Sequence, residues 1–387
     1  MAAQTAYAGV LEDAISNAKP LLNARLRLEL ASQDARPRDA ESLTLRVRGG
    51  FETGPIEKTV VGIEFEWLEN ITDNFNSTTN GRTDFPVVAD PQDVELNRLY
   101  ISTKAIDKTT VTLGRQRIVY DDARFVGDVI WRQNQQTYDA ISVTNTSIPN
   151  LTVNAAYVIQ VNRIFGPDSP QSPWDSSNVF LNAGYQTPIG KLTGFAYLLD
   201  IDDAIGLSTK TFGVRFAGSQ PVGGGKVSYV ASYARQSDYA DNPIDFSTDY
   251  FFGELTGAYK GFVATVAYEV LGSDEGIKGF STPLATAHKF QGFADLFLAT
   301  PDAGIKNFYA KVGYGRNDVG PFDRVFGAVW YHTFEADFGG ADYGDEIDFV
   351  ITAKWKRFLF GVKYGEYNMD TFATDTRRVI FDVNFAY

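Results

Sequence analysis

The chain offers two imidazoles, His288 and His332, and no cysteine, which removes disulfides, thiolate metal sites and cysteine nucleophiles. Neither histidine has a nucleophile at a recognisable spacing. His288 lies in "ATAHKFQGF", and His332 lies in "WYHTFE", where Trp330 and Phe334 share its strand face and turn it toward a lipid interface. No catalytic residue is assigned and no enzyme is expected. The chemistry that recurs is that of guanidinium groups at alternate positions: Arg25 and Arg27 in "LLNARLRLEL", Arg46 and Arg48 in "SLTLRVRGGF", and Arg115 and Arg117 in "VTLGRQRIVY". Glu64 and Glu66 in "GIEFEW" repeat the spacing with carboxylates. Residues two apart on a strand share a face. A row of guanidiniums on a wet wall concentrates anions; the plainer reading is a solvated ladder that keeps the wall polar.

Such rows need strands with one wet face, and the sequence supplies them. From Pro20 onward, segments of about ten residues alternate at period two, the repeated signature of a transmembrane barrel. Leu22, Ala24, Leu26, Leu28 and Leu30 fall on one face, and Asn23, Arg25, Arg27 and Glu29 on the other. Leu43, Leu45 and Val47 oppose Arg46 and Arg48; further apolar faces are Leu151 to Val161, Val179 to Tyr185, Phe308 to Tyr314 and Ile347 to Trp355. Aromatics such as Tyr185, Trp330, Tyr331, Trp355 and Tyr387 are expected in the interface girdles. No apolar run approaches the eighteen residues of a membrane helix, so any membrane must be crossed by strands. Short turn signals alternate with long polar stretches such as "ENITDNFNSTTNGRTDFPVVADPQD", the outer-membrane pattern of short periplasmic turns and longer extracellular loops.

A count of eighteen strands, with sixteen as the fallback, follows if the stretch from Gly272 to Gly304 is a loop. Its Phe290, Phe293 and Phe297 follow helical spacing, predicting a short helix and no transmembrane strand. Residues 21–387 then form one all-β antiparallel barrel. Residues 1–20 stand apart, because Val10, Leu11, Ala14 and Ile15 mark a small amphipathic helix that could sit in the periplasmic mouth as a partial plug or fray as a leader. The start Met1-Ala2-Ala3-Gln4 reads as a mature chain whose secretion signal was replaced by Met1.

Strict alternation puts Arg115 and Arg117 on the face of Val111 and Leu113, toward lipid, at roughly 2 to 4 kcal/mol each at midplane. Either Gly114 marks a bulge that flips the phase inward, or both arginines lie at the rim. The following "DDARFVGDVIWRQNQQ" reads as a loop folded into the mouth, with Arg124 and Arg132 available to narrow the pore. A tight connection near Asp34 to Asp39 would set Arg25 opposite Arg48 and Arg27 opposite Arg46, like charges that need compensation from Glu29, Glu64 and Glu66. The expected lining is thus Arg25, Arg27, Arg46, Arg48, Glu64, Glu66, Arg98, Arg115, Arg117, Arg124 and Arg132. A net charge of -13 argues against nucleic acid as a partner. The clusters "SDYADNPID" and "GGADYGDEID" could bind calcium through oxygens, or form solvated loop surface; no other metal or cofactor is expected.

The blocks "RLRLEL", "LTLRVRGGFETG", "VTLGRQRI", "DARFVGDVIWRQNQQTYDA", "YHTFEADFGGADYGDEID" and the alternating final strand "RVIFDVNFAY" together resemble the alginate-export porin family of Gram-negative bacteria, over Leu21 to Tyr387. The resemblance implies a monomeric outer-membrane barrel of about eighteen strands with a lumen of arginines suited to anionic sugars. Its partners would be outer-membrane lipid, lipopolysaccharide and small hydrophilic solutes. Three functions follow as expectations: a diffusion porin for small anionic or sugar-like solutes, a dedicated exporter of an anionic polysaccharide, and a structural or adhesive barrel with an occluded lumen.

Overall fold

The computed structural model describes residues 2–387, with side chains described from Gly9 onward. A helix, α1 (Ala2–Ser16), precedes the sheet. The strands are β1 (Lys19–Gln33), β2 (Ala40–Glu52), β3 (Thr59–Asn70), β4 (Asp93–Thr103), β5 (Thr109–Gln116), β6 (Thr137–Asn145), β7 (Leu151–Asn162), β8 (Trp174–Thr187) and β9 (Gly190–Leu199). There follow β10 (Thr209–Val222), β11 (Gly225–Asp238), β12 (Ser247–Tyr259), β13 (Phe262–Leu271) and a minute hairpin, β14 (Ser273–Asp274) with β15 (Lys278–Gly279). The chain ends with β16 (Ile305–Val319), β17 (Phe322–Glu335), β18 (Asp342–Trp355), β19 (Phe358–Met369) and β20 (Thr376–Ala386). Apart from the hairpin, each strand pairs antiparallel with its neighbours in sequence. Because β1 pairs with both β2 and β20, the sheet closes into an 18-stranded barrel with no free edge.

Alternation decides which face is which. Along β1, Leu22, Leu26 and Leu30 are exposed, while Arg27 and Glu29 are buried inside. Phe65 and Trp67 on β3, Leu255 on β12, Val312 on β16 and Phe381 on β20 continue the apolar outer belt. So much apolar surface is stable only against lipid, and a closed barrel alone leaves no backbone group unpaired there. Among the described residues no helix is long and apolar enough to cross a membrane.

The rim that carries both chain ends has tight turns. At Gly223–Gly224 both residues have positive φ, +55° and +80°, the mirror-image turn whose twist matches the flanking strands. The opposite rim carries the long connections 71–92, 117–136, 163–173 and 272–304. As expected, the last contains no barrel strand; it holds β14, β15 and a 3₁₀ turn at Ala287–Lys289. Beside the opposite, short-turn rim lies α1: the Gly54 N–H donates to Ala14 O at 2.8 Å, Ala14 is buried, and Val10, Leu11 and Ile15 are exposed.

Three details correct the sequence-based expectations. Arg25 lies opposite Arg46, Asn23 opposite Arg48 and Arg27 opposite Thr44, so the β1–β2 register is shifted by two residues from the expected Arg25–Arg48 and Arg27–Arg46 pairs. His332 is buried inside rather than facing lipid, and Trp330 is likewise inside, not in the girdle: Phe293 packs on Trp330 at 5.4 Å and Phe297 on Phe334 at 4.5 Å. An inward loop gives these rings the cover that a bare lumen would lack.

Candidate lumen constriction

The 117–136 connection folds into the barrel because both its flanks are anchored. On one side Arg124 meets Glu269 of β13 at 2.6 Å, and the Asn182 amide of β8 donates to Asp121 at 2.8 Å. On the other side its tip, Ile130 to Gln133, turns a run of backbone carbonyls toward the arginines of β1 and β2. Arg25 Nη1 donates to the carbonyls of Ile130, Trp131 and Arg132 at 3.2, 2.8 and 3.0 Å. Arg27 Nη2 donates to Trp131 O at 2.7 Å, and Arg48 Nη2 to Gln133 O at 2.9 Å. Four successive carbonyls are thus clamped by three wall guanidiniums.

The same wall is short of counter-ions. Arg27 pairs with Asp382 at 2.8 Å and Arg48 pairs with Glu66. Arg25 and Arg46, directly opposed, have only neutral oxygens besides the loop: Asn384 Oδ1 at 2.5 Å for Arg25, and Asn23 Oδ1 for Arg46. Among the described residues no carboxylate lies within ion-pair distance of either. Arg46 is fully buried, and its Nε and Nη1, with Nη1 of Arg27, have no hydrogen-bond partner. Buried donors of a charged group left unpaired are costly. Of the acids expected to compensate, Glu66 does meet Arg48, whereas Glu64 is taken by Arg98 at 2.6 Å and by Asn97, and Glu29 by Arg378 at 2.6 Å and Arg132 at 3.0 Å.

The remaining expected lining residues do not join this row. Arg132 turns its guanidinium away, to Glu29, Asp90 at 3.6 Å and Asp295 at 3.2 Å. Arg117 pairs with Asp128 at 2.5 Å behind the loop, and Arg124 is spent on Glu269. Arg115 is paired with Asp139 at 2.7 Å and lies two residues beyond exposed Leu113, opposite exposed Leu99, on the outer face at the loop-side end of β5. Of the two alternatives for the opening stretch, Arg115 thus takes the rim, with its charge met by Asp139, while Gly114 at φ +114° marks the local distortion.

A second inward loop meets the first. Trp131 stacks on His288 with ring centroids 3.4 Å apart, His288 Nδ1 lies 2.8 Å from Asp295, and its Nε2 lies 2.8 Å from Lys363 Nζ of β19. Burial, and then the Lys363 ammonium, push the His288 imidazolium pKa down to about 4. His288 is therefore neutral at pH 7, with Nδ1–H donating to Asp295 and Nε2 accepting from Lys363. Backbone N–H groups of Phe293 and Ala294 donate to Asp348 and Glu346 at 3.1 and 2.7 Å, fixing this loop to β18. Asp382, Arg378, Lys363, Asp295 and Trp131 were not found from sequence. The inward parity of Arg378 and Asp382 was available, since Val379, Phe381 and Val383 mark the outer face; contacts between loops and walls more than a hundred residues apart were not.

No family model matches the chain, that of alginate export included, and no curated protein matches it. Solved structures do resemble it. Pseudomonas aeruginosa OccK9 (OpdG) superposes with a TM-score of 0.74 at 14% identity, covering 97% of this chain and 100% of that one. Pseudomonas aeruginosa OpdK with vanillate gives 0.73 at 13% identity over 96% and 99%, and Acinetobacter baumannii OccAB3 gives 0.73 at 16% identity over 96% and 100%. At these identities the likeness is one of fold. The shared fold is a closed, 18-stranded antiparallel β-barrel of the kind found in outer-membrane proteins.

Proposed function

We propose that the chain is an outer-membrane channel for small hydrophilic anions, which pass the Arg25, Arg27, Arg46 and Arg48 wall by diffusion without being chemically changed. Its belt would sit in outer-membrane lipid, with lipopolysaccharide around the loop-side rim. The observation that carries the reading is the pair Arg25 and Arg46: two guanidiniums on the lumen wall that, among the described residues, have no carboxylate within ion-pair distance, beside the tip of the inward loop. A unit charge about 4 Å from such a group gains roughly 4 kcal/mol at an effective dielectric near 20, before desolvation. Even partly offset, that biases passage toward anions. Arg46 acts through its field, since a buried charge is screened far less by salt than an exposed one. Vanillate, which accompanies OpdK, is a carboxylate, in keeping with an anionic cargo.

The test is substitution of Arg27 and Arg46 together by Gln, read in planar bilayers under a salt gradient. Anion preference should fall and its dependence on ionic strength should weaken. An unchanged reversal potential would leave the arginines as a loop clamp with no part in selectivity.

A further inference from the structure

Charge is divided between the two rims of the barrel. Exposed acids crowd the loop side, among them Asp202, Asp241, Asp342 and Asp370. The tight turns carry the opposite sign: Lys58 between β2 and β3, Lys108 between β4 and β5, Lys260 between β12 and β13, Arg316 at the foot of β16, and Lys356 with Arg357 between β18 and β19. All of these cations are exposed, and the acids among the same turns are fewer: Glu57, Asp107, Asp318 and Asp323. In a chain with a net charge of -13 this rim is a local inversion of sign.

None of the turn-side cations is committed within the chain. Among the described residues no carboxylate lies within ion-pair distance of any of them, whereas the loop-side Arg82, Arg235 and Arg377 pair with Asp73, Asp249 and Glu366. What they do meet is aromatic. Lys260 Nζ lies 5.1 Å from the ring centroid of Tyr259, Lys356 Nζ 5.4 Å from that of Trp355, and Arg357 Cζ 4.1 Å from that of Tyr387. The three rings are exposed, and Tyr259 shares the outer face of Leu255, as Trp355 shares that of Ile351. They form the short-turn edge of the apolar belt, the level at which aromatics meet headgroups. The cations beside them therefore stand at the depth of lipid phosphates, and cations so placed draw anionic lipids to within a Debye length. Their distribution points the same way. The arc runs from β12 through the β20–β1 closure to β5, twelve of the eighteen strands. A leaflet meets the barrel along such an arc, whereas a protein docked below would cover only a sector.

We infer that the short-turn rim is a docking surface for anionic phospholipid headgroups, whose phosphates meet the arc centred on Lys260, Lys356 and Arg357 while their chains lie along the apolar belt. The inference takes the placement of that belt in outer-membrane lipid as its premise and is independent of what the lumen passes.

Electron spin resonance of the full chain in phosphatidylcholine vesicles, with spin-labelled phosphatidylglycerol or spin-labelled phosphatidylcholine as the probe, tests it. Lipid that touches the barrel gives a motionally restricted component. Phosphatidylglycerol should enter that component about threefold or more in preference to phosphatidylcholine, and the preference should shrink as salt is raised. Lys260→Gln, Lys356→Gln and Arg357→Gln together should remove most of the preference, and Arg82→Gln with Arg377→Gln on the loop side should leave it unchanged. Retained heat-modifiable migration in gels shows that each variant is folded. A restricted component without headgroup preference would overturn the surface and leave the cations to an acidic partner below the rim. A preference that survives the triple turn-side variant, or that falls equally in the loop-side variant, would overturn it as well. No restricted component with either probe would remove the premise, the lipid placement itself, and the docking surface with it.

Discussion

At Arg46 the cost of taking a charge out of water is met by a neutral amide and a neighbour's carboxylate, not by a counter-ion of its own. On the proposed channel reading, the group is kept for the field it creates. His288 shows the opposite solution, a titratable group kept neutral. Its pKa falls from 6.5 in the unfolded chain to about 4 in the barrel, so the unfolded chain binds more protons between those values. Stability is therefore full above pH 6.5 and is lost as pH falls toward 4; at about 1.4 kcal/mol per pH unit the interval amounts to roughly 3 kcal/mol. Protonation would set an imidazolium against Lys363, with only Asp295 to oppose it. Thermal unfolding should thus fall more steeply between pH 6.5 and 4 in the wild type than in His288→Asn. Equal slopes would place the acid sensitivity elsewhere.

Among the elements, on the proposed channel reading, the two inward loops decide what the barrel can pass. The 272–304 loop needs Gly292, which sits at φ +80° with its Cα against the Glu346 carboxyl, so that a Cβ there would collide with it. Gly292→Ala should cost roughly 1 to 3 kcal/mol of local order. It should appear as faster proteolysis of this loop and noisier open-channel current, with the barrel intact; quiet current would show that the loop tolerates the residue. The loop status of Gly272 to Gly304 was legible because the aromatic spacing is helical and not alternate. The folding-in of residues 117–136 was legible from arginines and aspartates in a stretch that neither lipid nor a dry core accepts. Their partners were not legible: Arg132 finds Asp295 and Arg25 finds the Trp131 carbonyl across gaps that strand periodicity cannot span. The β1–β2 register slipped by two because an even shift keeps every side chain on its face, so the apolar pattern is blind to it.

For the whole molecule the parity of the strands is the firmest inference from sequence, because lipid on one face and water on the other repeat the same constraint eighteen times. The absence of cysteine makes it directly testable. A fluorophore on Leu255→Cys should be quenched by lipid-borne quenchers, and one on Thr256→Cys by water-soluble quenchers; the reverse would displace β12 by one residue. The acidic total of the chain says little about its pore, since many acids lie on exposed loops while the narrowest wall carries Arg25 and Arg46. The most direct measurement is the reversal potential of the unmodified barrel in a planar bilayer with a tenfold potassium chloride gradient. An anion channel gives the sign set by chloride, with a magnitude that shrinks as salt is raised on both sides. A potential of the sign set by potassium would contradict the account.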